Sequence, residues 1–298
     1  MKYLTSICIL AGINVITVSG LTLLTGYMGM FSMGHAGFMA IGGYISACMT
    51  IYLGVPFVPA LLIGALAAAL SSLIVGYPTL KNKLTGDYFA IAMLGFGESI
   101  RLIIANTKPF IGGALGLTGI PKKTTIWVVV IFAVIIIYCM RNYLKSHYGK
   151  NATAIRQQEV AAEMMGINIM SNKIWALVIS AFTAGFAGGL YAFFATTLYP
   201  ITFTSVKSTD ILAAVVFGGI NSLSGPLIAA FILAFLPELL RSFAQWRLVI
   251  YGLLFVVIMI FRPEGLMGYK EVSPKGMVRF VSKTWNRLFK KEKSKGEQ

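Results

Sequence analysis

Ionisable groups that interrupt apolar sequence are the first candidates for chemistry in this chain. Glu98 lies three residues before Arg101 in the segment 90–104, which reads AIAMLGFGESIRLII. A spacing of three places both side chains on one face of a helix, where each can partly neutralise the other. Charges at membrane depth cost at least ~2.5–3.5 kcal/mol and rarely face lipid. Glu98 and Arg101 are therefore expected either to form an ion pair that joins helices or to line a translocation path.

His35 is a second candidate, in a stretch that is rich in glycine and methionine. Residues 26–44 read GYMGMFSMGHAGFMAIGGY, and Gly34 directly precedes the histidine. The glycines predict an interrupted helix, which a membrane tolerates only where the break borders protein or a water-filled cavity. We interpret the lone histidine either as a packed, hydrogen-bonded residue or as a substrate contact.

A second break is predicted in the other half of the chain, where small and turn-forming residues crowd together. They are Gly218, Gly219, Asn221, Ser222, Ser224, Gly225 and Pro226. Glycine and proline in one short stretch end a helix. Paired interrupted segments in opposite halves of a membrane chain are typical of a transport pathway near the bilayer midplane. The alternative is that both breaks are ordinary turns.

Residue types that catalysis or metal binding requires are sparse. The chain has two histidines, ten acidic residues and three cysteines. It contains no GxxxxGK[ST] motif, so we expect no P-loop binding of ATP, and CxxC, HExxH and GxSxG are also absent. Cys8, Cys48 and Cys139 fall in apolar segments without metal-ligand spacing, which favours a packing role. We therefore expect no catalytic residue, no metal site and no cofactor bound by this chain.

The composition predicts that helices in a membrane position these residues. Hydrophobic residues make up 57% of the chain and charged residues 12%, against roughly 25% charged residues in soluble proteins. We predict an all-α polytopic membrane protein with about 8–10 transmembrane helices, since several segments reach the length that spans a bilayer. Asp87 and Asp210 each precede an apolar helix and are interpreted as N-caps. The predicted spans are 3–24, 30–53, 55–77, 88–106, 124–140, 174–198, 209–220, 226–241 and 248–262.

The positive charge is concentrated in two segments. Of the 25 Lys and Arg residues, ten lie in 262–298 and five in 141–173. Cytoplasmic segments carry such an excess, so both are expected inside, with five spans before the loop and an external N-terminus. The predicted units are a transmembrane domain, 1–265, and a basic cytoplasmic tail, 266–298, that lies on an anionic leaflet. Nucleic acid is not an expected partner.

The loop 141–173 is longer than a simple turn between spans requires. It reads RNYLKSHYGKNATAIRQQEVAAEMMGINIMSNK, which is cationic and prone to form helix. We interpret it as a docking surface for a soluble partner.

Small residues recur at helical spacing in the span after this loop. One row contains Ser180, Ala184, Gly188 and Ala192, and a parallel row contains Ala181, Gly185 and Gly189. Such rows let helix backbones approach closely. They predict either packing inside this subunit or an interface between subunits.

Six segments resemble the permease subunits of branched-chain amino acid ABC importers, in their LivM-like branch. Together they cover most of residues 10–265 in the same order, which makes the resemblance specific for the family. The segments are 31–44 (FSMGHAGFMAIGGY), 86–98 (GDYFAIAMLGFGE), 116–121 (GLTGIP), 154–169 (AIRQQEVAAEMMGINI), 173–192 (KIWALVISAFTAGFAGGLYA) and 213–230 (AAVVFGGINSLSGPLIAA).

The resemblance implies the ABC importer permease fold in a bacterial plasma (inner) membrane, with a cytoplasmic C-terminus. It implies three kinds of partner: a second permease subunit, two cytoplasmic ATPase subunits that bind the ATP, and an external substrate-binding protein. Loop 141–173 would be the coupling loop, with a short helix near 158–166 docked on the ATPase. The family's Glu-Ala-Ala-x3-Gly pattern is matched at Ala161, Ala162 and Gly166. Val160 holds the position of the glutamate, while Glu159 comes one residue early and Glu163 follows.

Other functions remain open from the residues. Permeases for urea or short amides in the same family look similar. A secondary transporter driven by an ion gradient would need intramembrane acids, for which only Glu98 is available, and no large docking loop. A purely structural scaffold would tolerate changes in 158–166.

Overall fold

The computed structural model describes residues 2–84 and 86–239, and this part of the chain is built from α-helices. Seven helical segments in it are long and apolar enough to cross a membrane. The α-helices are α1 (Lys2–Leu21), α2 (His35–Leu53), α3 (Phe57–Lys81), α4 (Asp87–Asn106), α5 (Lys108–Ile111), α6 (Ile126–Lys145), α7 (His147–Gln157), α8 (Glu159–Met164), α9 (Ile169–Ala195), α10 (Ser205–Gly218) and α11 (Ser224–Leu239).

The predicted all-α polytopic architecture is confirmed. Five long apolar helices, α1 to α4 and α6, precede the polar loop, as the hydropathy predicts. The predicted division of 209–241 into two helices is also correct, because α10 ends at Gly218 and α11 begins at Ser224. The predicted span 248–262 and the basic tail 266–298 lie outside the described residues.

Helix α9 lies at the centre of the bundle and packs against α1, α2 and α3. Its rows of small residues face inward, and Ser180, Ala184 and Gly188 are all buried. A Cβ added at Gly188 would lie 2.7 Å from the main-chain carbon of Met39, so the backbones of α2 and α9 are in direct contact. The small-residue rows therefore serve packing inside this subunit.

Two connections on one side of the bundle are paired with each other. The main chains of Leu117 and Leu198 exchange two hydrogen bonds of 2.9 Å. The Tyr44 hydroxyl donates to the Leu198 carbonyl at 3.0 Å. The connection before α6 is thereby joined to the connection before α10.

The N-cap interpretation of Asp87 and Asp210 is wrong. Gly86 is the N-cap of α4, which places Asp87 inside the first turn, and the cap makes no side-chain hydrogen bond. Asp210 lies within α10, because that helix begins at Ser205 rather than at the predicted 209. The earlier start is possible because Glu98 accepts a hydrogen bond from the Ser205 main-chain nitrogen at 2.8 Å.

Candidate functional site

The first predicted break lies between α1 and α2. After α1 the backbone widens into a π-helical turn, Thr22–Tyr27, and no helix covers residues 28–34. Gly29 has φ +75°, a left-handed conformation that glycine adopts without strain. The Thr25 hydroxyl donates to the Met30 carbonyl at 3.1 Å, which satisfies a main-chain group that the break would leave free. The break is thus the connection between two helices that are each long enough to cross a membrane.

The second predicted break separates α10 from α11. Gly219 has φ +108°, which turns the chain, and a Cβ on Gly218 would overlap the main chain at Pro226. Ser222 is buried, and its hydroxyl accepts a hydrogen bond from the Gly225 nitrogen at 3.3 Å. Asn221 is half-buried in the same turn. The second break is therefore a compact, largely buried main-chain turn, whereas the first leaves Gly29 exposed.

His35 begins α2 and is fully buried. Its Nε2 lies 2.7 Å from the Ser180 hydroxyl on α9, and its Nδ1 lies 3.2 Å from the Ser32 hydroxyl. Gly34 is the N-cap of α2, and a Cβ there would lie 2.6 Å from the Met93 carbonyl oxygen on α4. Of the two interpretations of His35, the structure supports the packed, hydrogen-bonded residue.

Glu98 joins α4 to α10. Arg101 Nε donates to one carboxylate oxygen at 2.6 Å, and the Ser205 nitrogen donates to the other. The negative carboxylate also stabilises the N-terminus of α10, where the helix dipole is positive. Both side chains of the Glu98–Arg101 pair are about one quarter exposed, at 27% and 26%. The ion pair itself lies within α4, and the hydrogen bond from the Ser205 nitrogen to Glu98 is the contact that joins α4 to α10.

A narrow crevice lies beside Glu98. It lies where the N-termini of α2 and α10 approach α4. The crevice has no room for a water molecule, so it is closed in this conformation. The lining residues besides Glu98 are Met33, Ala36, Leu94, Gly97, Phe203, Thr204, Ser205 and Ser208. The Ser208 hydroxyl accepts a hydrogen bond from the Ala36 nitrogen at 3.0 Å, which links the two helix starts directly.

The polar loop folds into α7 and α8. Within the expected coupling segment, Ala162 is buried while Ala161, Glu163 and Gly166 are exposed. Gly166 has φ +80°, which makes the exit turn one that glycine favours. Glu159 Oε1 accepts from Lys173 Nζ at 2.5 Å, and Lys173 is buried on α9. Glu159, which comes one residue before the family's glutamate position, therefore connects α8 to the central helix α9.

The sites predicted from the sequence form two groups. His35, Gly34 and Glu98 lie near the starts of α2 and α10, whereas the turn 218–222 lies at the opposite end of α10. Within the described residues no group of three or more His, Cys, Asp or Glu side chains could hold a metal ion.

Two polar residues of the structure were missed by the sequence reasoning. Arg156 on α7 donates to the main-chain carbonyl of Gly26 and lies 3.5 Å from that of Ile220. Lys207 on α10 donates to Asn14 Oδ1 on α1 at 2.9 Å. Arg156 follows the buried Ala152 by four residues, a spacing that could have placed it on the face of α7 toward the bundle. The predicted start of α10 at residue 209 places Lys207 in a loop, whereas the helix begins at Ser205.

Comparison with known proteins agrees with this architecture. A family model described as branched-chain amino acid transport system / permease component matches residues 3–262. No solved structure matches the chain.

Three relatives illustrate the range of similarity. The high-affinity branched-chain amino acid transport system permease protein LivM of Escherichia coli is 32% identical over 295 residues, covering 88% of this chain and 69% of that protein. A probable LivM of Methanocaldococcus jannaschii is 22% identical and covers 88% of this chain and 92% of its own. The ribose import permease protein RbsC of Haemophilus influenzae is 26% identical, covering 77% and 74%. The resemblance seen in the sequence is thus confirmed, and this chain belongs to the family of branched-chain amino acid transport system permease components.

Proposed function

We propose that this chain is the membrane-spanning subunit of an ATP-driven importer for branched-chain amino acids. Support comes from the family match over residues 3–262 and from the 32% identity to LivM of Escherichia coli. The ribose import permease of Haemophilus influenzae is 26% identical, which is lower than the 32% of Escherichia coli LivM. We place the protein in a bacterial plasma (inner) membrane, with a second permease subunit and an external substrate-binding protein. ATP is hydrolysed by two cytoplasmic partner subunits and not by this chain.

The exposed apolar surface of α8 is the observation that carries this proposal. Val160, Met164 and Met165 are 69%, 84% and 82% exposed, although they lie in a polar loop outside the spans. Apolar side chains in such a position favour a protein partner. Methionine adapts its shape to a groove on that partner. We propose that this surface docks on the ATPase subunit.

An ion pair connects the loop to the central helix. Glu159 bonds to the buried Lys173 near the start of α9. Helix α9 in turn packs on α1, α2 and α3. A movement of α8 would therefore reach the centre of the bundle through one ion pair and one helix.

We propose that the transport path passes the crevice beside Glu98. This is the place where a partly exposed carboxylate meets two helix starts, those of α2 and α10. The crevice is narrow here, so passage requires the helices to separate. His35 is fully buried and connects the start of α2 to α9 behind the crevice. The turn 218–222 follows the other end of α10.

Charge placed on α8 tests the docking proposal. The change is Met164→Glu, and the matched control is Lys150→Glu at an exposed position of α7. The complex with its ATPase, second permease and binding protein is purified and reconstituted in proteoliposomes. We expect Met164→Glu to lose about tenfold or more in ATPase co-purification and in uptake of labelled leucine, because burying an unpaired carboxylate in an apolar contact is costly. The control should retain both.

Full uptake by Met164→Glu would contradict the docking surface. Uptake by this chain alone, in liposomes with an ion gradient and no ATPase, would instead favour an ion-coupled secondary transporter. Preference for urea or a short amide over leucine in the complete complex would change the substrate and leave the class of machine intact.

A further inference from the structure

Arg156 reaches from the polar loop to both helix breaks at once. Its Nη1 donates to the carbonyl of Gly26, at the end of the π-helical turn after α1, and lies 3.5 Å from the carbonyl of Ile220, just after α10. Carbonyl groups at helix C-termini lack partners within the helix. The helix dipole also places partial negative charge there, which favours a cation. The positively charged guanidinium therefore contacts two helix ends that carry partial negative charge, those of α1 and α10.

The two breaks also touch each other at this point. A Cβ added to Gly26 would lie 2.8 Å from the Ile220 carbonyl oxygen, so the backbones of the two breaks are in contact. Arg156 thus joins the two interrupted segments at their junction.

The aliphatic part of the Arg156 side chain packs against the first break. Gly29, inside the first break, has φ +75°, and a Cβ there would lie 3.0 Å from Arg156 Cγ. Both contacts are made by Nη1, whose two N–H groups have fixed directions in the plane of the guanidinium, so this one nitrogen can serve two acceptors. A lysine would present a single ammonium group and no fixed fork.

The neighbours of Arg156 on α7 show which way the helix faces. Ala152 and Ile155 are buried, whereas Lys150 on the same helix is exposed. Lys150 makes no side-chain hydrogen bond or ion pair within residues 2–84 and 86–239. The contacts of Arg156 are therefore particular to its position and not a general property of the cationic loop.

We propose that Arg156 is the positioning residue through which movement of the coupling loop reaches both helix breaks. This inference rests on the proposed function, since it assumes that an ATPase displaces α7 and α8. When the loop moves, Arg156 carries the C-terminal ends of α1 and α10 with it. The opposite end of α10 borders the crevice beside Glu98, so the same displacement shifts one wall of the proposed path. A residue that served folding alone would stabilise the bundle without affecting the ratio of uptake to ATP hydrolysis.

The test replaces Arg156 and follows that ratio in the reconstituted complex. Arg156→Met keeps the apolar stem and removes the donors, and Lys150→Met is the matched loss of a cation on α7. We expect Arg156→Met to assemble and hydrolyse ATP, while leucine uptake per ATP falls about tenfold or more, as the loss of a charge-assisted hydrogen bond predicts. Arg156→Lys should recover only part of the loss. Lys150→Met should behave as the unmodified complex does.

A second pair of variants tests the same contact by changing Gly29 instead of Arg156. Gly29→Ala would push against Arg156 Cγ, whereas Gly54→Ala has a similar backbone, with φ +65°, and no atom within 4 Å. Both variants place alanine in a left-handed backbone conformation and so share that strain. A difference in uptake per ATP between them therefore reports the contact with Arg156. We expect Gly29→Ala, and not Gly54→Ala, to lower uptake per ATP.

Three outcomes would overturn the role of Arg156, and a fourth would refute the proposed function. Normal uptake per ATP in Arg156→Met, or equal behaviour of Gly29→Ala and Gly54→Ala, would overturn the role of Arg156. Loss of assembly in both Arg156→Met and Gly29→Ala would also overturn it, because that outcome assigns the residue to folding alone. Absence of ATP-dependent uptake in the unmodified complex would instead refute the proposed function.

Discussion

His35 shows how a single polar side chain can be required inside an apolar bundle. It is fully buried, and both ring nitrogens have a serine hydroxyl as partner, Ser32 and Ser180. One partner precedes α2 and the other lies on α9, so the imidazole connects the first break to the central helix. Buried polar groups are costly when they lack partners, which makes this set of three interdependent.

Replacing this imidazole should destabilise the protein. His35→Leu leaves the Ser180 hydroxyl without the imidazole and the Ser32 hydroxyl with only the Gly34 nitrogen, 3.5 Å away. A buried group without a partner costs about 1–3 kcal/mol. We expect a lower unfolding temperature of the purified permease in detergent. The control is His147→Leu, at the chain's other histidine, which is exposed on α7. Equal unfolding temperatures of the two variants would contradict the structural role of His35.

At the scale of the element, hydropathy predicted the helices better than their ends. The five spans before the loop and the break after Gly218 followed from apolar length and from glycine and proline. The start of α10 did not, because Lys207 and Ser208 make that turn look like a loop. Their partners, Asn14 and the Ala36 nitrogen, belong to α1 and α2, and no local pattern reports them. Tertiary contacts thus overrode the local signal.

Helix α9 depends on glycine where it touches α2. In Gly188→Ala the new Cβ would lie 2.7 Å from the main-chain carbon of Met39, so the helices must separate. We expect a loss of about 1–3 kcal/mol, typical of overpacking. Thermal unfolding in detergent measures it.

Gly95→Ala is the matched control, since no atom lies within 4 Å of the added Cβ on α4. It should be neutral, or stabilising by up to ~1 kcal/mol, because alanine favours helix. If both alanine variants unfold alike, the close contact between α2 and α9 is not what requires glycine at 188.

At the scale of the whole molecule, the sequence predicted the class and family of the protein but not how its polar sites are connected. Six ordered segments and the apolar fraction were sufficient for the family. The contact of Arg156 with two main-chain carbonyls was not predictable, because hydrophobic periodicity shows which face of α7 is buried and not which carbonyls it meets. The roles expected for Ala161, Ala162, Glu163 and Gly166 remain predictions.

The orientation of the chain can be tested with two introduced thiols. Lys150→Cys lies in the polar loop and Leu115→Cys in the connection between α4 and α6, and the single span α6 separates them. The background replaces Cys8, Cys48 and Cys139 by serine. We expect an impermeant maleimide to label Leu115→Cys on intact cells and Lys150→Cys only in inverted vesicles. Labelling of Lys150→Cys from outside would place the loop on the wrong face for an ATPase.

The contact of α9 with α2 and α3 also limits how this bundle can deform. Where main chain meets main chain, as at Gly188 and Met39, there are no long side chains that could change rotamer and accommodate sliding. Shear between these helices is therefore unfavourable, and the three should rotate together as one rigid body. The bending must then occur in the non-helical connections that join these helices to the rest of the bundle, residues 28–34, 82–84, 165–168 and 196–199. A change of conformation would appear as altered torsion angles in those connections and unchanged distances among the three helices.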